Sequence, residues 1–357
     1  MILLNPGPVT LSDRVRKALL NPDLCHREVE FSQLQTRIRE QLLHVYNLSP
    51  QEWTAILLTG SGTSAVEAMI TSLVPDKGKL LIIENGVYGE RISKIAKIHR
   101  IEHMIFHHDW GEEIRLSELE QILRENPDIS HLAVIHHETT TGRLNDLGKL
   151  APVCKKHQVK MLVDGVSSFG AEEIDFDTWD LTACAATANK CLHGIPGTAF
   201  TIVKRNALNS ADYRPRTLYL DLATYNQKQD QGGTPFTQSV QSFYALAEAL
   251  DEFEEAGGWQ ARYQHYQKLA KFVREELIAL GIKPLISEQS SSIVLNAYYL
   301  PEGVSYENLH STLKKDGFII YAGQGDCARS IFRVSTMGAI TPDDMTVFIE
   351  SIKKIKD

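Results

Sequence analysis

The sequence predicts an α/β protein in which helices flank a mostly parallel seven-stranded sheet, with a smaller α+β domain towards the C-terminus. Short apolar segments alternate with longer helical patterns through the first two thirds of the chain, and the pattern changes at about Gln238. Several of the apolar segments are almost entirely hydrophobic, which is typical of strands buried on both faces of a parallel sheet. In such doubly wound folds, ligands bind at the carboxyl ends of the strands.

The predicted elements of the larger domain alternate regularly along the chain. The strand candidates are Ala55–Thr59, Leu80–Glu84, His103–His107, Leu132–His136, Lys160–Asp164, Leu181–Ala185 and Ala199–Val203. Helical patterns between them include Thr63–Leu73, Tyr88–Lys97, Leu116–Glu125 and Leu147–His157.

The smaller domain is predicted from the change of pattern. Two long helices come first, at Val240–Glu255 and Gln260–Leu280. A β-rich stretch with helices follows, comprising Ser292–Ala297, Tyr306–Asp316, Phe318–Tyr321, Ile331–Ser335 and Pro342–Lys354. Because 357 residues are more than usually fold around a single hydrophobic core, we expect a large domain at 15–240 and a smaller one formed by 1–14 and 241–357.

Composition excludes several classes of protein. The formal charge is −8, with 45 acidic against 37 basic residues, which argues against nonspecific binding to nucleic acid or to anionic membranes. The five cysteines are scattered without a C-x-x-C pair, so free thiols are expected rather than disulfides or a zinc site. Without a signal peptide pattern or a long apolar run, a cytoplasmic protein is predicted.

Lys190 is the first candidate catalytic residue, in the segment ATANKCLHGIPG that follows a predicted strand. Its neighbours are small, and removal of an amine from water lowers its pKa, so that a neutral amine can form a Schiff base. The alternative is a lysine that merely caps a turn. Asp164 ends an apolar strand in KMLVDGVSSFGA, 26 positions before Lys190. A carboxylate there suits the pyridine nitrogen of pyridoxal phosphate, although it also suits the cap of a helix.

Two further segments lie between a strand and a helix. Ser61, Gly62 and Thr63 offer N–H groups and hydroxyls to a phosphate at a helix N-terminus, or form an ordinary turn. Neither nucleotide-binding motif of the P-loop or G-x-G-x-x-G type is present there. Tyr88 opens a helix and either stacks on a flat ring or packs in the core.

These segments together resemble the class V, fold-type I pyridoxal-phosphate aminotransferases, and within them the 2-aminoethylphosphonate–pyruvate aminotransferases. The resemblance extends along the chain through LLNPGPV, GSGT, NGVYGER, HHETTTG, VDGVSSFGA, ANKCLHGIPG, GGTPFT and FRVSTMG. It implies a ping-pong transfer of an amino group from a small donor, here 2-aminoethylphosphonate, to a keto acid such as pyruvate, or the reverse.

The resemblance also implies a role for each matching residue. Lys190 would bind the cofactor as a Schiff base and move a proton, and Asp164 would pair with the pyridinium. The other implied contacts are Tyr88 and Thr139 at the ring, Ser61, Gly62 and Thr63 at the phosphate, Thr234 at the phosphate of the neighbouring subunit, and Arg333 at the anionic group of the substrate. The role of Thr234 implies a homodimer.

Several alternatives remain open at this point. A serine–pyruvate or alanine–glyoxylate aminotransferase would share the same motifs, and a cysteine desulfurase would need a loop nucleophile, for which Cys327 is the candidate. A binding protein without catalytic activity would not need both Lys190 and Asp164. His26 and Arg27 either add positive charge for a phosphonate or lie on the surface. No metal is expected, because the adjacent histidines of HHD and HHE point to opposite faces of a strand.

Overall fold

The structure is a computed structural model, and it describes residues 1–209 and 213–356. The helices are α1 (Asp13–Ala18), α2 (Val29–His44), α3 (Gly62–Leu73), α4 (Val87–Ile98), α5 (Leu116–Glu125), α6 (Leu147–Lys156), α7 (Leu222–Asp230), α8 (Val240–Glu255), α9 (Gly258–Ala279), α10 (Tyr306–Lys315) and α11 (Pro342–Lys356). The strands are β1 (Ile2–Leu3), β2 (Trp53–Gly60), β3 (Lys79–Glu84), β4 (His103–His107), β5 (Ile129–Ile135), β6 (His137–Glu138), β7 (Arg143–Leu144), β8 (Lys160–Asp164), β9 (Leu181–Thr187), β10 (Gly197–Lys204), β11 (Leu295–Tyr299), β12 (Phe318–Ile319), β13 (Tyr321–Ala322) and β14 (Ile331–Ser335).

The central sheet has seven strands in the order β2-β10-β9-β8-β5-β3-β4, which confirms the predicted α/β class. Strands β3, β4, β5, β8 and β9 run parallel to one another, whereas β10 is antiparallel to both β9 and β2. Residues 188–196 join β9 to β10 without a helix, so the chain turns back instead of crossing over. The carboxyl ends of β2, β8 and β9 consequently lie at the same edge of the sheet.

Hydrophobic side chains cover both faces of this sheet. Along β2, Leu57 belongs to the core on one face, while Ile56 and Leu58 belong to the core on the other. This alternation follows from the two-residue period of a strand. Strand β4 lies at the edge of the sheet and keeps only Phe106 buried, which explains its more polar sequence.

The C-terminal part packs around a separate core. That core contains Leu4 from the N-terminal segment, Leu269 from α9, Phe332 from β14 and Phe348 from α11. Helix α8 instead contributes Phe243 and its neighbours to the core of the large sheet. We propose the two-domain division expected from the sequence, but α8, which that division assigned to the smaller domain, packs on the sheet of the large domain.

Two details of the C-terminal part differ from the expectation. The strand predicted at Ser292–Ala297 is observed at Leu295–Tyr299. It begins later because the residues before it form a hydrogen bond to the large domain, in which the N–H of Ser292 donates to the carbonyl of Gly142 at 2.9 Å. The segment Phe318–Tyr321 forms parts of two sheets, since β12 pairs with β1 and β13 pairs with β14. None of the helices in residues 1–209 and 213–356 meets the length and hydropathy needed to span a membrane.

Candidate active site

A cavity of about 190 Å³ opens at the edge of the sheet where β2, β8 and β9 end. It is lined by Ser61, Gly62, Thr63, Val66, Tyr88, Arg91, Asp164, Val166, Thr187, Asn189, Lys190 and Pro196. Six of the residues predicted from the sequence therefore meet in one cavity, at the position where ligands bind in doubly wound folds.

Lys190 lies in the loop between β9 and β10, and it is partly buried. Burial lowers the pKa of Lys190 to about 8, and the charges of Arg333 and Arg91 act in the same direction. The backbone of the N-terminal segment lies directly against it: a Cβ on Gly7 would be 2.8 Å from Nζ of Lys190. The amine is thus enclosed, and its pKa allows a substantial neutral fraction near neutral pH.

Asp164 is the last residue of β8, and it is 7% exposed. Its Oδ1 accepts the backbone N–H of Val166 at 2.9 Å. Burial raises the pKa of Asp164 to about 6, although that hydrogen bond and the charges of Arg91 and Lys190 oppose the increase. A cationic ring nitrogen placed beside this carboxylate would favour its ionised form.

The first turn of α3 forms another wall of the cavity. Ser61 is the N-cap, but its side chain accepts no N–H of the helix, and the first N–H groups of a helix have no acceptor within it. Gly62 must lack a side chain there, because a Cβ would be 2.7 Å from Cγ1 of Val166. These donors, together with the positive end of the helix dipole, suit a phosphate.

Tyr88 and Arg91 lie one turn apart near the start of α4. The guanidinium carbon of Arg91 is 4.6 Å from the centre of the Tyr88 ring, and Nη1 donates to Oγ1 of Thr63 at 3.1 Å. Arg91 was missed in the sequence analysis. Its spacing of three residues from Tyr88 within a helical pattern was the signal that could have indicated it.

Glu138 is a second residue that the sequence analysis did not select. It is completely buried next to Thr139, and burial raises the pKa of Glu138 to about 7. Its Oε2 accepts the backbone N–H of Tyr88 at 3.2 Å, and its Oε1 accepts the backbone N–H of Thr140 at 3.1 Å.

Arg333 approaches the same region from β14. It is 2% exposed, and it donates from Nη1 to the carbonyl of Thr139 at 3.0 Å and from Nε to the carbonyl of Ala322 at 2.9 Å. Its Nη2 donates to none of the residues that the structure describes. Burial lowers the pKa of Arg333, while nearby Tyr88, Tyr306 and Glu138 oppose that change. The guanidinium is therefore held in place with donors left for an anion.

Several of the residues considered from the sequence are not among those that line the cavity, and these include Thr139 and Arg333 as well as the residues described next. Thr234 is buried elsewhere, and its Oγ1 accepts a hydrogen bond from Nε2 of Gln238 at 2.9 Å. The role that the resemblance implies for Thr234 is in the neighbouring subunit. Arg27 is exposed and His26 is partly buried. The adjacent His136 and His137 are both buried, and they contact Ser168 and Ser167 respectively.

Comparison with known proteins identifies the class. The family model of the class V aminotransferases matches residues 16–346, so the chain belongs to that family. It is 35% identical to 2-aminoethylphosphonate–pyruvate transaminase of Bacillus mycoides, over 99% of this chain and 97% of the relative. A protein of the same name from Bacillus thuringiensis is 34% identical over the same shares.

Solved structures confirm the fold-type I architecture. The alanine–glyoxylate aminotransferase from Nostoc sp. superimposes with a TM-score of 0.93 at 25% identity, covering 100% of this chain and 95% of that one. A subgroup IV aspartate aminotransferase from Thermus thermophilus gives a TM-score of 0.91 at 26% identity, covering 100% and 99%. The chain is thus an aminotransferase by family and by fold.

Proposed function

We propose that this aminotransferase uses pyridoxal phosphate to transfer the amino group of 2-aminoethylphosphonate to pyruvate, giving phosphonoacetaldehyde and L-alanine, or the reverse. The observation that carries the chemistry is the meeting of Lys190, Asp164 and Tyr88 in one cavity. The substrate pair rests on the full-length similarity to transaminases of that name.

The residues present fit the cofactor. Lys190 would bind its aldehyde carbon, Asp164 its pyridine nitrogen, Tyr88 and Thr139 its ring, and the first turn of α3 its phosphate. When bound, pyridoxal phosphate supplies an electron sink that stabilises negative charge on the carbon bearing the substrate's amino group.

The chain's own residues supply the proton transfer and the orientation. With a pKa of about 8, Nζ of Lys190 is able both to accept a proton from a carbon acid and to return it near neutral pH. The backbone at Gly7 lies directly against this amine and limits its movement on that side. Arg333 would bind the phosphonate or carboxylate of the substrate through its remaining donors, which fixes the reacting carbon relative to Lys190.

We further propose a homodimer and a cytoplasmic location. The homodimer rests on the role that the resemblance implies for Thr234, which does not line the cavity of its own chain. The five cysteines carry free thiols, which supports a reducing compartment.

The alternative substrate class is a small amino acid, as in an alanine–glyoxylate aminotransferase. The structural similarity to the Nostoc enzyme favours this alternative. The two differ in the anion that Arg333 must bind, because a phosphonate carries more negative charge than a carboxylate.

A single-turnover absorbance experiment tests the proposal. The protein loaded with pyridoxal phosphate is mixed with 2-aminoethylphosphonate, L-serine or L-alanine in the absence of a keto acid, and the long-wavelength band is followed. Rapid loss of the band with the phosphonate, restored by pyruvate, is the expected result. L-Alanine should also react because it is the donor of the reverse reaction.

One control variant and two contrary outcomes complete the experiment. Lys190→Ala should neither transaminate nor develop the band of the bound cofactor. Loss of the band with L-serine or L-alanine but not with the phosphonate would move the protein to the alternative substrate class. A wild-type protein that binds no pyridoxal phosphate would contradict the whole proposal.

A further inference from the structure

Arg91 lines the cavity but has no part in the chemistry described above. It is held from two sides: its guanidinium lies over the ring of Tyr88, with 4.6 Å between its central carbon and the ring centre, and Nη1 donates to Oγ1 of Thr63 at 3.1 Å. A guanidinium against an aromatic face is stabilised by the quadrupole of the ring. Arg91 is consequently a fixed cation that joins the starts of α3 and α4.

The hydrogen bond to Thr63 has a consequence for the hydroxyl group. A guanidinium only donates, so Oγ1 of Thr63 acts as the acceptor in this contact. The hydrogen of the hydroxyl then points away from Arg91 and remains available for another acceptor. At the same turn, the first N–H groups of α3 also lack acceptors within the helix.

Three features at this end of the cavity therefore favour an anion: the oriented hydroxyl of Thr63, the N-terminus of α3 and the positive charge of Arg91. Charge-assisted hydrogen bonds are about twice as strong as neutral ones. Arg91 also lies near enough to Asp164 and Lys190 for its charge to act on both.

We propose that Arg91 is a phosphate-binding residue for the cofactor, which adds positive charge beside the first turn of α3 and orients the hydroxyl of Thr63 as a donor. The inference rests on the proposed function, because it takes pyridoxal phosphate as the cofactor. The competing explanation is that Arg91 acts at the ring end of the cofactor, through Tyr88 or Asp164.

Pyridoxal, which lacks the phosphate, separates the two explanations. Cofactor-free protein is titrated with pyridoxal phosphate and, in parallel, with pyridoxal, and binding is followed by absorbance. The variants are Arg91→Gln, which removes the charge, and Arg91→Lys, which keeps it. Lys94→Gln is the matched control, because Lys94 is an exposed cation one turn further along the same helix.

Arg91→Gln should weaken the binding of pyridoxal phosphate by about tenfold or more, the loss expected when a hydrogen bond to a charged group is removed. Its binding of pyridoxal should change by less than about twofold on the same grounds. Arg91→Lys should lie between wild type and Arg91→Gln for pyridoxal phosphate, and Lys94→Gln should match wild type. Inorganic phosphate should compete with pyridoxal phosphate for the wild type and more weakly for Arg91→Gln.

Equal losses for both ligands in Arg91→Gln would overturn the inference and assign Arg91 to the ring end. Unchanged binding of pyridoxal phosphate would overturn it as well. If Arg91→Gln does not fold, as judged by circular dichroism, Arg91→Lys decides by the same comparison of the two ligands. Failure of the proposed function is distinct from these outcomes, since it requires that the wild type itself binds no pyridoxal phosphate.

Discussion

The carboxylate of Glu138 accepts the backbone N–H of Tyr88, with 3.2 Å between Oε2 and the nitrogen. The same carboxylate holds Thr140 through its backbone N–H and its hydroxyl. Gly86 leaves the space for this arrangement, because a Cβ there would be 2.3 Å from Cδ of Glu138. A buried acid thus fixes the start of α4, the helix that carries both Tyr88 and Arg91.

Removal of the Glu138 carboxylate should loosen this turn. In Glu138→Ala, the buried N–H of Tyr88 loses its acceptor, which costs about 1–3 kcal/mol of unfolding free energy. We expect weaker binding of pyridoxal phosphate as well, because the ring of Tyr88 is no longer held in position. Urea unfolding and absorbance titration near neutral pH measure the two effects.

Two variants serve as controls for that result. Glu138→Gln keeps one acceptor oxygen and should lose less stability and less affinity than Glu138→Ala. Glu102→Ala, at an exposed position before β4, should behave as wild type. If Glu138→Ala matched wild type in both measurements, Glu138 would have no positioning role.

Part of this site is predictable from the sequence for a physical reason. Asp164 and Lys190 stand next to buried strands, and residues at the carboxyl ends of parallel strands converge whatever the details of packing. Arg91 and Glu138 were not predictable in the same way, because their importance depends on which elements meet. Glu138 acts on a residue 50 positions earlier in the chain.

Helix α2 shows a similar limit in the fold. Its buried residues are Phe31, Gln35, Ile38, Leu42 and Leu43, so that a glutamine interrupts the apolar stripe. Gln35 is buried because its Nε2 donates to the carbonyl of Gly233 at 2.9 Å. Such a partner, almost two hundred residues away, is not visible in local periodicity.

Gly7 should tolerate no side chain, and Gly303 provides the matched control. Both have a positive φ, 122° and 77°, but a Cβ on Gly7 would lie 2.8 Å from Nζ of Lys190, whereas nothing lies within 4 Å of one on Gly303. Alanine at either position carries a cost for its backbone conformation, about 1–2 kcal/mol in the left-handed region where Gly303 lies and more at the φ of Gly7.

Only Gly7→Ala should therefore also displace Lys190. We expect a loss of turnover of about tenfold or more for Gly7→Ala, since small misplacements of reacting groups are costly. Gly303→Ala should show nearly wild-type turnover. Steady-state kinetics with equal amounts of folded, cofactor-loaded protein measures this difference. Equal turnover of the two variants would show that the contact at Gly7 has no effect on the amine.

The lowered pKa of Lys190 predicts the pH dependence of cofactor capture. Only the neutral amine attacks an aldehyde, and its fraction rises as the pH passes upward through the pKa. The rate at which cofactor-free protein develops the band of bound pyridoxal phosphate should rise with a midpoint near pH 8, not near the ordinary value of 10.5. Stopped-flow absorbance over a range of pH values measures it.

Arg333→Gln is the charge control for this profile. Because the positive charge of Arg333 helps to lower the pKa of Lys190, its removal should move the midpoint to higher pH. A wild-type midpoint near 10.5 would mean that the amine is not shielded from water in the way the structure describes.

Glu172 should make the protein less stable as the pH rises. It is 2% exposed, its Oε1 accepts the hydroxyl of Ser292 and the N–H of Ile293, and burial raises its pKa from 4.5 to about 7. Between these two values the folded chain binds more protons than the unfolded chain, so the unfolding free energy falls as pH increases through this window.

Glu172→Gln removes the ionisable carboxyl group but keeps an oxygen that can accept a hydrogen bond. Above pH 7 the variant should be more stable than wild type by about 3 kcal/mol, and below about pH 3.5 the difference should vanish because the wild-type side chain is then neutral in both states. Urea unfolding at a series of pH values measures the difference. A constant difference across the whole range would mean that the effect comes from packing or hydrogen bonding and not from the charge of Glu172.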